Sequence, residues 1–180
     1  MAMPPLPELF HRRWALPVLG ELARDGGAKL VTLVARTGAS QGGVRDALDA
    51  LIDMGLARRN PGYGHPLRPE YILTTRGAQA APHAATLWAR LTRDGLEDVC
   101  LRKWSLATLT AVHPGASRFS QIRAGVEGVT DRALAGALRD LETASLVVRT
   151  IEDDRPPRPH YTRTRRAEPL VVLAETIERI

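Results

Sequence analysis

The chain has 180 residues, 44% of them hydrophobic, with 25 basic and 20 acidic side chains and a net charge of +5. No apolar run approaches the ~18 residues of a membrane span, and the opening MAMPPLPELFHRRW lacks the apolar core and small-residue cleavage site of an export signal, so a cytoplasmic location is expected. Cys100 is the lone cysteine, which excludes an intrachain disulfide and a cysteine-based metal cage.

In chain order, the first element comes back. RRWALPVLGEL at 12–22 returns ninety residues later as RKWSLATLTAV at 102–112. The same offset superposes Leu48 on Leu138, Leu56 on Leu146, Arg59 on Arg149, Tyr71 on Tyr161 and Thr74 on Thr164. An internal duplication follows, with one structural unit over 1–92 and a second over 93–180. Helical spacing of Trp14, Val18, Leu19 and Leu22, matched by Leu101, Trp104, Thr108, Leu109 and Val112, predicts a first helix with a tryptophan-anchored apolar stripe. Pro17 bends that helix unless it falls in the first turn. A short second helix follows a Gly-bearing break, with Leu30, Leu33 and Val34 in one copy and Phe119 and Ile122 in the other.

Ser40 and Thr130 each follow a Gly-containing turn and precede a periodic apolar run, the position of a helix N-cap. The third helices, 40–54 and 130–143, turn Val44, Leu48 and Leu51, or Leu134, Leu138 and Leu141, inward. Their outward residues differ: Gln41, Gly42, Arg45 and Asp46 against Asp131, Arg132, Ala135 and Arg139. Beyond Leu56 and Leu146 the pattern becomes two short extended runs around a Pro-rich turn, a hairpin with a long tip. An amphipathic helix closes each copy, near 78–92 and 168–180. The expected class is mainly α with small β-hairpins (α+β), in tandem.

Three helices and a hairpin are the order of a winged helix-turn-helix, whose third helix enters the DNA major groove. The second copy resembles the HxlR-type regulators, a bacterial winged-helix family, in its Lys103-Trp104 pair, Arg118-Phe119 with Ile122, Leu134, Leu138, Leu141 and Glu142, then Leu146, Val147 and Arg149. In the first copy Pro66, Glu70, Tyr71, Leu73, Thr74 and Gly77 follow the family's wing pattern. The resemblance implies sequence-specific binding of double-stranded DNA by a fused pair of units that imitates the family's homodimer, its terminal helices packed together. Members usually work as dimers of one unit, so a monomeric pseudo-dimer and a homodimer both stay open. Candidate DNA contacts are Ser40, Gln41, Arg45, Arg58, Arg59, His65 and Arg68 in the first copy. In the second they are Arg118, Thr130, Arg132, Arg139, Arg149, Arg155 and Arg158.

Departures from the family pattern are specific. Gly42-Gly43 weakens the start of the first reading helix by roughly 1 kcal/mol per Gly, or lets its backbone approach DNA. Glu152, Asp153 and Asp154 make the second wing tip acidic, and Ala167 stands where the family has Gly. Cys100 reads as a buried small hydrophobe rather than an oxidant sensor. The histidines show no metal-ligand spacing, and no nucleophile elbow, phosphate-cradling loop or carboxylate pair on a helix face is read from the pattern, so neither enzyme, metal nor cofactor is expected. A protein-interaction module of tandem winged helices is the competing reading, favoured if the arginines scatter over all faces. A crevice between the units could admit an apolar small-molecule effector, and no residue cluster in the sequence identifies one.

Overall fold

The computed structural model describes residues 7–60, 70–152 and 158–180. The first half runs α1 (Pro7–His11), α2 (Ala15–Asp25), β1 (Gly27–Lys29), α3 (Leu30–Thr37), α4 (Gln41–Asp53), β2 (Ala57–Asn60), β3 (Glu70–Leu73) and α5 (Thr75–Asp94). The second runs α6 (Glu97–Cys100), α7 (Ser105–Ala111), α8 (Phe119–Gly125), α9 (Asp131–Thr143), β4 (Val147–Glu152), β5 (Arg158–Arg163) and α10 (Glu168–Glu178). It is a mixed helix-and-strand architecture with small antiparallel sheets, consistent with winged helix-turn-helix structure. Helices α4 and α9 begin and end ninety residues apart. The hairpins keep the same offset in register: Arg59 faces Tyr71 on β2 and β3 as Arg149 faces Tyr161 on β4 and β5.

Local sequence explains the helix ends. Pro17 falls in the first turn of α2, where its missing N–H is one of the unbonded donors, so the helix need not bend. Left-handed Gly38 (φ +68°) and Gly128 (φ +72°) turn the chain into α4 and α9. Ser40 Oγ then accepts from Gly43 N at 3.1 Å, and Thr130 Oγ1 accepts from Ala133 N at 3.3 Å, the two caps expected.

Two expectations change. Trp14 and Trp104 stand at the N-caps of α2 and α7 rather than inside an apolar stripe, and both are half-buried, with the Arg13 guanidinium 5.4 Å from one ring and the Lys103 ammonium 4.7 Å from the other. Trp14 also accounts for Gly43: a Cβ there would lie 2.8 Å from Trp14 Cδ1, so the close approach is to tryptophan. Strand β1, three residues and too short to show alternation, pairs with β3 to give the order β1-β3-β2. In the second half its counterpart shrinks to a single bridge between Arg118 and His160.

One apolar cluster runs through both halves, joining Leu16, Leu19, Leu48, Leu51, Leu87 and Leu91 to Leu106, Leu109, Leu141, Leu170 and Ile177. A smaller cluster of Val112, Ile122, Val126, Leu134 and Leu138 lies under α8 and α9. Helices α5 and α10 pack on each other, and two arginines ninety residues apart hold the joint. Arg76 donates to Met54 O (3.1 Å) and Ile180 O (3.1 Å); Arg166 donates to Ala144 O (3.0 Å) and Asp94 O (3.0 Å). Each reaches within its own half to the end of α4 or α9, and across to the carbonyls ending the other half's terminal helix, where cations are favoured.

Candidate nucleic-acid interface

Helix α9 is amphipathic by construction. Leu134, Ala137, Leu138 and Leu141 face the core, which leaves Asp131, Arg132, Ala135, Arg139, Glu142 and Thr143 exposed. Two acids on this helix are neutralised: Arg123 Nε lies 3.1 Å from Asp131 Oδ1, and Arg102 pairs with Asp140. Arg132 and Arg139, two turns apart, make no ion pair among the described residues. They project as free guanidinium forks of the kind that pair bidentately with guanine or phosphate.

Helix α4 buries Val44, Ala47, Leu48 and Leu51. It exposes Gln41, Gly42 and Arg45, and with them Asp46, Asp49 and Asp53. Reading outward residues singly picks out Arg45 and misses the three carboxylates as a set, although their three- and four-residue spacing places them on one strip. Gly42 has open space at its Cβ position.

The wings differ in what they offer. Arg58 and Arg59 on β2, Arg149 on β4 and Arg158 at the start of β5 are exposed. His65 and Arg68 of the first wing and Arg155, Asp153 and Asp154 of the second lie outside the described residues. Arg118 sits at the N-cap of α8, partly buried, its Nε donating to His160 Nε2 at 3.4 Å, while Ser117 Oγ lies 3.1 Å from His160 Nδ1. The wing and the second helix are tied there, which composition alone does not reveal. Ala167 is accommodated by a later start: residues 165–167 form a turn before α10, whereas α5 is already helical at Gly77.

Other candidates resolve physically. Cys100 is wholly buried and its thiol is pushed up to about 12 by that burial, which removes the nucleophilic thiolate. A crevice of about 510 Å³ runs between α1, α7, α8 and α10. Glu127, Glu175 and Glu178 line it beside Trp104, Ala107 and Val126. Among the described residues no three of His, Cys, Asp and Glu come together as metal ligands, and no helix is long and apolar enough to cross a membrane.

Comparison with known proteins gives two findings. Residues 99–179 match the family model HxlR-like helix-turn-helix, so the chain carries one HxlR-like helix-turn-helix domain. A 75-residue stretch, 42% of the chain, is 29% identical to a protein of Methanothermobacter thermautotrophicus named an uncharacterized HTH-type transcriptional regulator. The match spans 57% of that relative's length.

Proposed function

We propose that the protein is a sequence-specific transcription regulator that binds double-stranded DNA and is not an enzyme. In this reading two winged units, 1–92 and 93–180, pair within one chain through α5 and α10, an intrachain pseudo-dimer. Helix α9 lies in the major groove with Arg132 and Arg139 toward base edges and phosphates, and Arg149 and Arg158 of the wing flank it on the backbone. On the first unit the candidate contacts are Ser40, Gln41, Arg45, Arg58 and Arg59, of which Arg59 alone aligns at ninety residues with an arginine of the second. The observation that carries the reading is the unpaired arginine face of α9, set on a helix-turn-helix domain that matches the HxlR-like model. The reciprocal hydrogen bonds of Arg76 and Arg166 support the paired arrangement.

The competing protein-interaction module draws support from the acidic face of α4, which suits a basic partner better than a phosphate backbone. A salt titration separates the two. With about six phosphate contacts, DNA affinity falls on the order of a thousandfold between about 50 and 200 mM salt. Anisotropy of a labelled duplex reads this directly, and absence of binding at the lower salt would sink the DNA reading.

A further inference from the structure

Matched positions on α4 and α9 differ in charge, and at one pair the sign is reversed. Ninety residues apart, Asp49 stands where the second half has Arg139, Asp46 where it has Gly136, and Gly42 where it has Arg132. Arg45 is the only cation on the exposed face of α4, against three carboxylates. None of the three makes an ion pair among the described residues, whereas α9 has Asp131 and Asp140 neutralised by arginines. A groove of about 450 Å³ between α1 and α4 is lined by these three carboxylates and Glu8, together with His11, Arg12 and Lys103.

A duplex presents a phosphate charge about every 1.7 Å along its axis. A helix seated in the major groove stands between two phosphate walls, so a strip of unpaired carboxylates is repelled from both. Cytosine N4 is a good base-edge partner for such a carboxylate, and it does not offset the backbone. The family model independently covers the second half alone.

Resting on the DNA-binding reading above, we infer that the chain reads DNA with one head: α9 and its wing take the base-specific contacts, and α4 stays out of the groove. The first unit then completes the α5 and α10 joint and holds α9 in place without contacting bases. Its operator is one half-site, not two elements a helical turn apart.

The test is selection of the full chain on a pool of duplexes with a randomised window longer than two helical turns, then anisotropy on the enriched duplex. One enriched block is expected. Arg132→Ala and Arg139→Ala should each weaken binding about tenfold or more and relax the preference at their own base positions. Arg45→Ala and Asp49→Asn should each change affinity less than about twofold, since neither side chain nears the duplex. Two enriched blocks about 10 base pairs apart, or an Arg45→Ala loss equal to that of Arg132→Ala, would overturn the one-headed reading and leave DNA binding intact. Failure to enrich any sequence would instead remove the DNA reading, and this inference with it.

Discussion

Gly77→Ala is the sharpest test of how the first half is packed. Gly77 lies in the first turn of α5 against the turn into β2. A Cβ there would sit 2.8 Å from the Leu56 carbonyl carbon and closer still to its oxygen. Backbone cannot rotate away as a side chain does, so α5 must retreat by on the order of an ångström. Leu56 O is also the acceptor of Thr74 N at 3.1 Å, and Thr74 Oγ1 caps α5 through Gly77 N at 3.0 Å while donating to Gly55 O. Overpacking of this kind costs typically 1–3 kcal/mol, and loss of the Thr74 bond adds about 1 kcal/mol. Alanine's better helix propensity returns up to about 1 kcal/mol, so the net expectation is a loss of about 1 to 3 kcal/mol. Urea unfolding at constant m-value measures it. Gly136→Ala in α9 is the control: nothing lies within 4 Å of its added Cβ, so it should gain about 0.5–1 kcal/mol. A Gly77→Ala chain within about 0.5 kcal/mol of the parent would refute the close packing of α5 on Leu56.

Four further outcomes follow from named contacts. Ser145 holds φ +57°, the left-handed position that Gly55 fills in the first half, so Ser145→Gly should raise stability in urea by about 0.5–1 kcal/mol. Arg166→Ala strands Ala144 O and Asp94 O at an exposed joint, at a cost of about 1 kcal/mol; a double variant with Arg76→Ala that loses no more than either single would disprove the reciprocal clasp. His11 is held below its usual 6.5 by burial first, then by Lys103 and Arg12 against Glu8. The unfolded chain takes up that proton more readily, so stability is lost as pH falls through 6.5, and His11→Gln should flatten this part of the profile. Cys100, buried with its thiol pushed up to about 12, should react with a disulfide reagent only at the unfolding rate, and rapid labelling of the native chain would contradict its placement.

The amino-acid sequence determined much of this protein because its decisive signals are local. Apolar spacing set α4 and α9, their Ser40 and Thr130 caps lie within three residues of the amides they satisfy, and the offset of ninety anticipated the spacing that α4 and α9 and the two hairpins keep. Exposed arginines on α9 were likewise legible, since residues between inward leucines must face out. Tertiary structure decided whatever depends on residues distant in sequence meeting. Strand β1 exists because β3, more than forty residues later, lies beside it, and Gly43 is required by a tryptophan twenty-nine positions earlier. Asp131 and Asp140 are silenced by Arg123 and Arg102 from outside α9, whereas Asp46, Asp49 and Asp53 meet no such partner among the described residues. Charge counted along a helix therefore gave no measure of the field it presents, which is set by the ion pairs that packing permits.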